Sequence, residues 1–168
     1  MSLWLMPEGE THERLLSLVA GLARRFSTPP FPPHVTLLAG ILGLTEGEVL
    51  ARGRSLAAAL EPLEIGLAGI GGRDEPFRCL FAPAVLDPPL RAAHAAAARA
   101  FDRDPDPAFF PHLSLVYGTL AAATKRAVAA EVGPLVASSF RAGRLHVWRT
   151  VGPVGEWREI GAFGLASA

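Results

Sequence analysis

One short pattern occurs twice in the sequence, and this repeat constrains the fold more than any other feature. PFPPHVTLLAG at residues 30–40 and AFFPHLSLVYG at residues 108–118 each lead through an aromatic residue and proline to His, an aliphatic residue, a hydroxyl residue and Leu. Each copy predicts a strand that follows the first helix of its half of the chain. Two runs of β-α-β-α-β with matching motifs therefore predict two similar lobes.

The remaining elements follow from hydrophobic spacing and turn residues, in the order β-α-β-α-β-β-α-β-α-β-β. Strands are predicted at residues 2–7, 34–40, 63–72, 77–85, 112–118, 138–150 and 156–165. Helices are predicted from Thr11, from Thr45, from Asp87 to about Phe101, and from Thr119 to Gly133 and Pro134. Residues 63–72 and 77–85 should pair through a polar turn, and the last two strands should form a hairpin. These elements predict an α+β fold with mixed sheets.

Composition narrows the class of protein. Half of the 168 residues are hydrophobic and 19% are charged, so the chain can bury a sizeable core. We expect one domain that covers residues 1–168. Sixteen basic residues balance sixteen acidic ones, so no global field attracts nucleic acid or an anionic membrane. Arginines that cluster in the sequence can still form a local basic patch.

Cysteine content and the N-terminus point to an ordinary cytoplasmic protein. The single cysteine, Cys79, excludes an intrachain disulfide and a zinc site built from several cysteines. Its apolar neighbours predict a buried structural thiol. The N-terminus lacks the basic region and long apolar run of a signal peptide. The most apolar stretch, residues 35–44, is about half as long as a membrane span. We therefore expect a cytoplasmic location and no membrane contact.

The two motifs place the same chemistry on two strands. Because alternate side chains of a strand share a face, His34 should lie beside Thr36, and His112 beside Ser114. Imidazole is suited to proton transfer near neutral pH, so two of them can serve as base and acid in one reaction. Hydroxyl groups beside them can donate hydrogen bonds to anionic oxygens. This set suits the hydrolysis of a phosphate diester.

Other interpretations of the histidines are blander. A single His-x-Thr in a strand is common by chance and does not indicate a catalytic site. Only its repetition makes a catalytic role a useful hypothesis. A two-histidine metal site is an alternative, but no Asp, Glu or Cys stands at a convincing ligand spacing. We expect His12 to be solvated, His94 to be packed or at a lobe interface, and His146 to be an ordinary strand residue.

These residues resemble the 2H phosphoesterase superfamily, which is named for two His-x-Thr/Ser-x motifs. Within it, the chain is most similar to the cyclic phosphodiesterase branch of plants and yeast. Three features carry this closer likeness: SLWLMPEG at residues 2–9, FRCLF at residues 77–81, and Tyr117 three residues after Ser114. The resemblance implies a bilobal fold in which two pseudo-symmetric β-sheet lobes with outer helices enclose a central cleft.

The resemblance also implies an activity and a site. The activity is hydrolysis of nucleoside 2',3'-cyclic phosphates or ADP-ribose 1'',2''-cyclic phosphate, without a metal or other cofactor. By analogy, His34 would be the acid and His112 the base, and Thr36 and Ser114 would bind phosphate. Two aromatic residues would contact the base or the phosphate: Trp4 and Tyr117.

Two alternatives stay open. One is an RNA-end enzyme of the 2',5'-RNA ligase or RNA 2',3'-cyclic phosphodiesterase type, which would use the same site. The other is a nucleotide-binding module that has lost catalysis. The expected partner of the chain is a small-molecule cyclic phosphate, or alternatively an RNA end, and the expected state is a monomer.

Overall fold

A computed structural model describes residues 1–166 of the chain, and this part contains eight strands and four helices. The strands are β1 Ser2–Leu5, β2 Val35–Leu38, β3 Leu63–Gly66, β4 Leu80–Pro83, β5 His112–Val116, β6 Ser139–Ala142, β7 Arg144–Arg149 and β8 Arg158–Gly164. The helices are α1 Gly9–Phe26, α2 Glu46–Ala57, α3 Pro88–Ala100 and α4 Ala122–Val132.

The strands form two sheets, and every strand pairing is antiparallel. The expectation of mixed sheets is therefore wrong. The reason lies in the connection between β1 and β2: α1 has 18 residues and is about 27 Å long, and the proline-rich segment 27–34 runs about as far when extended. The chain thus returns to the end of β1, where Leu5 pairs with Val35.

The six-stranded sheet has the order β4-β5-β2-β1-β7-β8, and β3 pairs with β6 in the other sheet. Within the six-stranded sheet, the two motif strands, β2 and β5, pair through a single residue pair, Val35 and Leu113. Isolated bridges link β4 or its flanks to the segment after β3, at Leu67–Ala84 and Gly71–Phe81. The strands thus divide into β2-β1-β7-β8 and β5-β4-β3-β6, each beginning with a motif strand. This confirms the expected α+β fold with two similar halves. The halves do not coincide with the two β-α-β-α-β runs of the sequence, because β3 lies with β4 and β5, whereas β7 and β8 lie with β1.

Each half supplies a helix that covers a strand of the other half. Helix α1 contacts β5, whereas α3 contacts β2 and β3. Helix α2 packs against β7 and β8. Apolar side chains of the strands fill the space beneath these helices, among them Leu37 and Leu115, which are fully buried. Within residues 1–166, no helix has the length and apolar character that a bilayer crossing needs.

Two predicted helix starts are wrong and two are confirmed. Helix α1 begins at Gly9, with Glu8 in the N-cap position, because the positive φ of Gly9, 56°, lets the chain turn directly after Pro7. Helix α4 begins at Ala122 with Ala121 in the N-cap position, so Thr119 lies outside it. The predicted capping box of α2 and the Asp87 cap of α3 are both present: the caps are Thr45 and Asp87.

The region predicted as a strand pair at 63–72 and 77–85 is divided differently. Strand β3 ends at Gly66 and forms its regular ladder with β6, not with β4. Residues Pro76–Arg78 form a 3₁₀ turn, because Pro76 fixes a φ suited to a turn and has no N–H for a sheet ladder. This turn brings Phe77 and Arg78 next to the motif strands.

Candidate active site

A cleft of about 560 Å³ opens where the two motif strands meet. All six residues that the sequence proposes for the site line this cleft: Trp4, His34, Thr36, His112, Ser114 and Tyr117. Two motifs that are far apart in the sequence therefore face one cavity. The cause is the register of β2 and β5: the strands run in opposite directions and pair only near their first residues, at Val35 and Leu113, so both strand starts lie side by side.

The two imidazoles are anchored in the same way. Nδ1 of His34 donates to the carbonyl oxygen of Pro32 at 2.7 Å, and Nδ1 of His112 donates to that of Phe110 at 2.9 Å. A carbonyl oxygen only accepts, so the hydrogen of each neutral ring is on Nδ1. Each Nε2 therefore keeps a lone pair for proton transfer. In both motifs the accepting carbonyl belongs to the residue before a proline, whose ring restricts that residue to extended conformations.

His34 lies under aromatic cover. The residue is only 4% exposed, and its ring stacks on Trp4, with 3.5 Å between ring centroids and 7° between planes. Burial lowers the pKa of His34 to about 4; the hydrogen bond to Pro32 opposes the change, and the charge of His112 adds to it. The imidazole is consequently neutral at neutral pH.

His112 is in a more open and more basic setting. Its ring is half-buried and meets Phe81 and Phe110 at centroid distances of 5.3 and 5.6 Å. Burial lowers the pKa of His112, the hydrogen bond to Phe110 opposes this, and the charges of Arg78 and Arg73 lower it further. The two guanidinium groups supply positive charge beside this half of the site.

The two hydroxyl residues differ in their present partners. Ser114 is buried, and its Oγ donates to the carbonyl oxygen of Phe77 at 3.1 Å. Thr36 is half-buried, and it pairs across the sheet with Trp4. Both line the cleft, so both can reach a ligand, but Ser114 has to turn away from the 3₁₀ turn before it can donate to one.

The two aromatic residues proposed from the resemblance are mostly covered by other rings. Trp4 is 1% exposed and lies between His34 and Trp148, whose ring centroid is 4.4 Å away. Tyr117 stacks on Phe31 at 3.7 Å; burial raises the pKa of its hydroxyl, against the effect of a hydrogen bond with Ser114, so it stays a neutral phenol. The main observed contact of Trp4 in the site is thus with the imidazole.

Sequence reasoning missed several residues that line the same cleft. Near the His pair they are Phe77, Arg78 and Trp157, and farther along they are Arg103 and Phe109. Arg78 could have been noticed, because it lies in the FRCLF segment that supports the resemblance. Nothing in the sequence connects Trp157 or Arg103 with the motifs, since only the folded sheet and the loop before β5 bring them there.

His94, His146 and the cysteine behave as expected, whereas His12, expected to be solvated, is half-buried. His94 is buried on α3, where it contacts β2 and the loop before β5, and so lies between the two halves. His12 is in the first turns of α1. His146 lies in β7, paired with Glu159 at 2.8 Å. Cys79 is a buried free thiol, and burial raises its pKa. Residues 1–166 contain no group of three or more side chains placed to hold a metal ion.

Comparison with known proteins agrees with this geometry. The model of the 2'-5' RNA ligase superfamily matches residues 11–153. The chain belongs to this family of 2H phosphoesterases. A cyclic phosphodiesterase from Arabidopsis thaliana is 27% identical to it over 153 residues, which are 89% of this chain and 84% of the relative.

Solved structures of other proteins share the fold. LigT of E. coli in apo form superimposes with a TM-score of 0.66 at 14% identity, covering 99% of this chain and 96% of LigT. LigT complexed with 3'-AMP gives 0.61 at 14% identity, with the same coverage. TT0787 of Thermus thermophilus gives 0.61 at 22% identity, covering 98% of this chain and 96% of that one.

Proposed function

We propose that the protein hydrolyses cyclic phosphodiesters of the nucleoside 2',3'-cyclic phosphate or ADP-ribose 1'',2''-cyclic phosphate type. The observation that carries this proposal is the matched anchoring of His34 and His112, which leaves two Nε2 atoms for proton transfer in one cleft. The name of the Arabidopsis relative, a cyclic phosphodiesterase, supports the reaction type. The complex of LigT with 3'-AMP supports a nucleotide-sized ligand.

We assign the base to His34 and the acid to His112, the reverse of the roles expected from the resemblance. Burial under Trp4 keeps His34 unprotonated, which is the form a base needs. His112 is more open to water, so it acquires a proton at lower cost once an anionic phosphate is bound. The phosphate offsets the repulsion that Arg73 and Arg78 exert on the protonated ring.

The reaction then requires one water molecule and two proton transfers. Nε2 of His34 takes a proton from the water as its oxygen forms a bond to phosphorus. The ring P–O bond breaks, and Nε2–H of His112 gives its proton to the leaving oxygen. The product is a phosphate monoester with a free hydroxyl group. His34 is left protonated and His112 neutral, and exchange of one proton with solvent restores both.

Charge that develops on the non-bridging oxygens needs donors nearby. Thr36 and Ser114 supply hydroxyl groups on the two motif strands, and Arg78 supplies a guanidinium on the adjacent 3₁₀ turn. Such donors act mainly by being held in place before the reaction. Arg78 is itself held by Glu75 at 3.0 Å, which fixes its direction at the edge of the cleft.

A substrate panel followed by phosphorus NMR tests the proposal. The purified protein should open a cyclic phosphate in the presence of EDTA, and the H34A/H112A double variant should not. The variant H12A is the matched control, because this histidine lies outside the cleft, and it should retain full turnover. If nucleoside 2',3'-cyclic phosphates and ADP-ribose 1'',2''-cyclic phosphate all remain intact, the proposed function is wrong.

A further inference from the structure

The cleft continues well beyond the two histidines. His34 precedes the first residue of β2, whereas Ala39 and Gly40 follow its last residue, and all three line the cleft. At about 3.3 Å per residue, His34 and Ala39 are roughly 16 Å apart along the strand. A cyclic phosphate between the imidazoles therefore leaves the second end of the cleft free.

This second end contains an aromatic ring that is held in a fixed orientation. Phe109 stacks on His94, with 3.8 Å between ring centroids and 4° between planes. His94 is itself fixed, because Nδ1 donates to the carbonyl oxygen of Leu37 at 2.9 Å and Nε2 accepts from the N–H of Asp106 at 3.2 Å. Phe109 remains only half-buried and lines the cleft. A planar group can therefore stack there at little entropic cost.

Charged groups flank the ring. Nη1 of Arg103 donates to the carbonyl oxygen of Ala39 at 2.7 Å, and the side chain is otherwise exposed. Within residues 1–166 no carboxylate forms an ion pair with Arg103, so its charge is available to a ligand. Asp106 also lines the cleft, and its carboxylate accepts from the N–H of Ala108 at 2.8 Å, with further acceptor capacity for a hydroxyl or an amino group.

A flat ring, a guanidinium and a carboxylate together match one nucleotide. We propose that Phe109, Arg103 and Asp106 bind a second nucleoside unit, linked through a phosphodiester or a pyrophosphate to the cyclic phosphate. The base stacks on Phe109, the linking phosphate meets Arg103, and Asp106 accepts from a ribose hydroxyl or a base amino group. This inference rests on the proposed function and narrows its substrate to molecules with two nucleoside-like ends.

Kinetics with short and long substrates test the subsite. The short substrate is adenosine 2',3'-cyclic phosphate, and the long ones are the dinucleotide ApA with a terminal 2',3'-cyclic phosphate and ADP-ribose 1'',2''-cyclic phosphate. The wild-type protein should give a kcat/KM at least about tenfold higher on one long substrate than on the short one, since stacking and a phosphate contact are added. The long substrate with the higher kcat/KM shows whether the subsite recognises a phosphodiester or a pyrophosphate linkage.

Variants show which residues raise kcat/KM on the long substrate. R103A and F109L should each reduce the ratio of long to short kcat/KM by about tenfold, and R103K should keep part of it because the charge remains. R99A is the matched control, since Arg99 is an exposed arginine on α3 outside the cleft; it should retain the wild-type ratio. Equal kcat/KM on short and long substrates, or an unchanged ratio in R103A, would overturn the subsite.

Failure of the proposed function has a different signature. In that case no cyclic phosphate is opened, and the subsite is tested by calorimetry with ApA carrying a terminal 3'-phosphate. The dinucleotide should bind at least about tenfold more tightly than 3'-AMP, and R103A should abolish the difference. If the two ligands bind equally, the second subsite is absent.

Discussion

The two halves of the site carry the same motif but place their histidines in different surroundings. His34 is almost fully buried beneath Trp4, and its pKa is about 4. His112 is half-buried, is bordered by the rings of Phe81 and Phe110, and lies near two arginines. Both rings donate through Nδ1 to the residue two positions earlier. The repeat therefore fixes the direction of each imidazole, whereas the neighbours that differ between the halves set its affinity for protons.

The largest expected effect separates the acid from the base. H34A and H112A should each lower kcat on a cyclic nucleotide by about 10² to 10⁴. A diester with a 4-nitrophenyl leaving group needs no acid, so H112A should regain most of its activity on that substrate. H34A should not, because the water still needs a base. Recovery by H34A instead would restore the roles first expected from the resemblance.

The free energy of unfolding should depend on pH because His34, in the first motif, is buried. The pKa of buried His34, about 4, is below the ordinary value of 6.5, so between these pH values the unfolded chain binds more protons and stability falls as pH falls. The loss should approach about 3 kcal/mol by pH 4. Urea unfolding of the wild type and H34Q at pH 7 and pH 4 measures it as a difference. If the wild type loses no more stability than H34Q between pH 7 and pH 4, burial does not lower the pKa of His34.

A third prediction concerns His94, which ties the halves together. Because its ring bonds Leu37 on one side and Asp106 on the other, H94A should lower kcat by about tenfold or more through displacement of one half. H94Q can still accept from Asp106, and H94N can still donate to Leu37, so each should recover part of the rate. If all three variants have equal kcat at equal thermal stability, His94 only packs.

The smallest effect is expected at the prolines before the histidines. Pro33 and Pro111 are both buried and hold the preceding carbonyl, which is the Nδ1 acceptor, in an extended conformation. Pro33→Ala and Pro111→Ala should each lower kcat a few-fold. This decrease corresponds to the small free-energy change that is typical of proline substitutions. Turnover equal to the wild type in both would mean that the prolines act only at the strand starts.

Much of the fold could be predicted because local signals agreed with the final packing. All four helices and the strands of both motifs were found, since their spacing and their caps at Thr45 and Asp87 are local features. The pairing of β3 with β6 was missed because such pairing depends on residues far apart in the sequence. The strand expected from residue 77 begins later, at Leu80, because Pro76 starts a 3₁₀ turn.

The candidate site was predictable in its repeated part and not elsewhere. Alternation along a strand was enough to place His34 with Thr36 and His112 with Ser114. The stacking of Trp4 on His34 depends on the antiparallel register of β1 and β2, which no local pattern contains. Phe109 belongs to the aromatic lead-in of the second motif, but its place in the cleft depends on its stacking on His94. Arg103 lies in the preceding loop, which no local pattern connects with the motifs.

The exchange of helices between the halves makes them dependent on each other. Helix α1 contacts β5 and α3 contacts β2, so either half by itself would leave an apolar strand face open to water. The repeat is thus not a pair of modules that can be expressed separately. A chain divided in the exposed loop at 102–107 would give two fragments whose folding requires complementation, and proton transfer would return only when they reassociate.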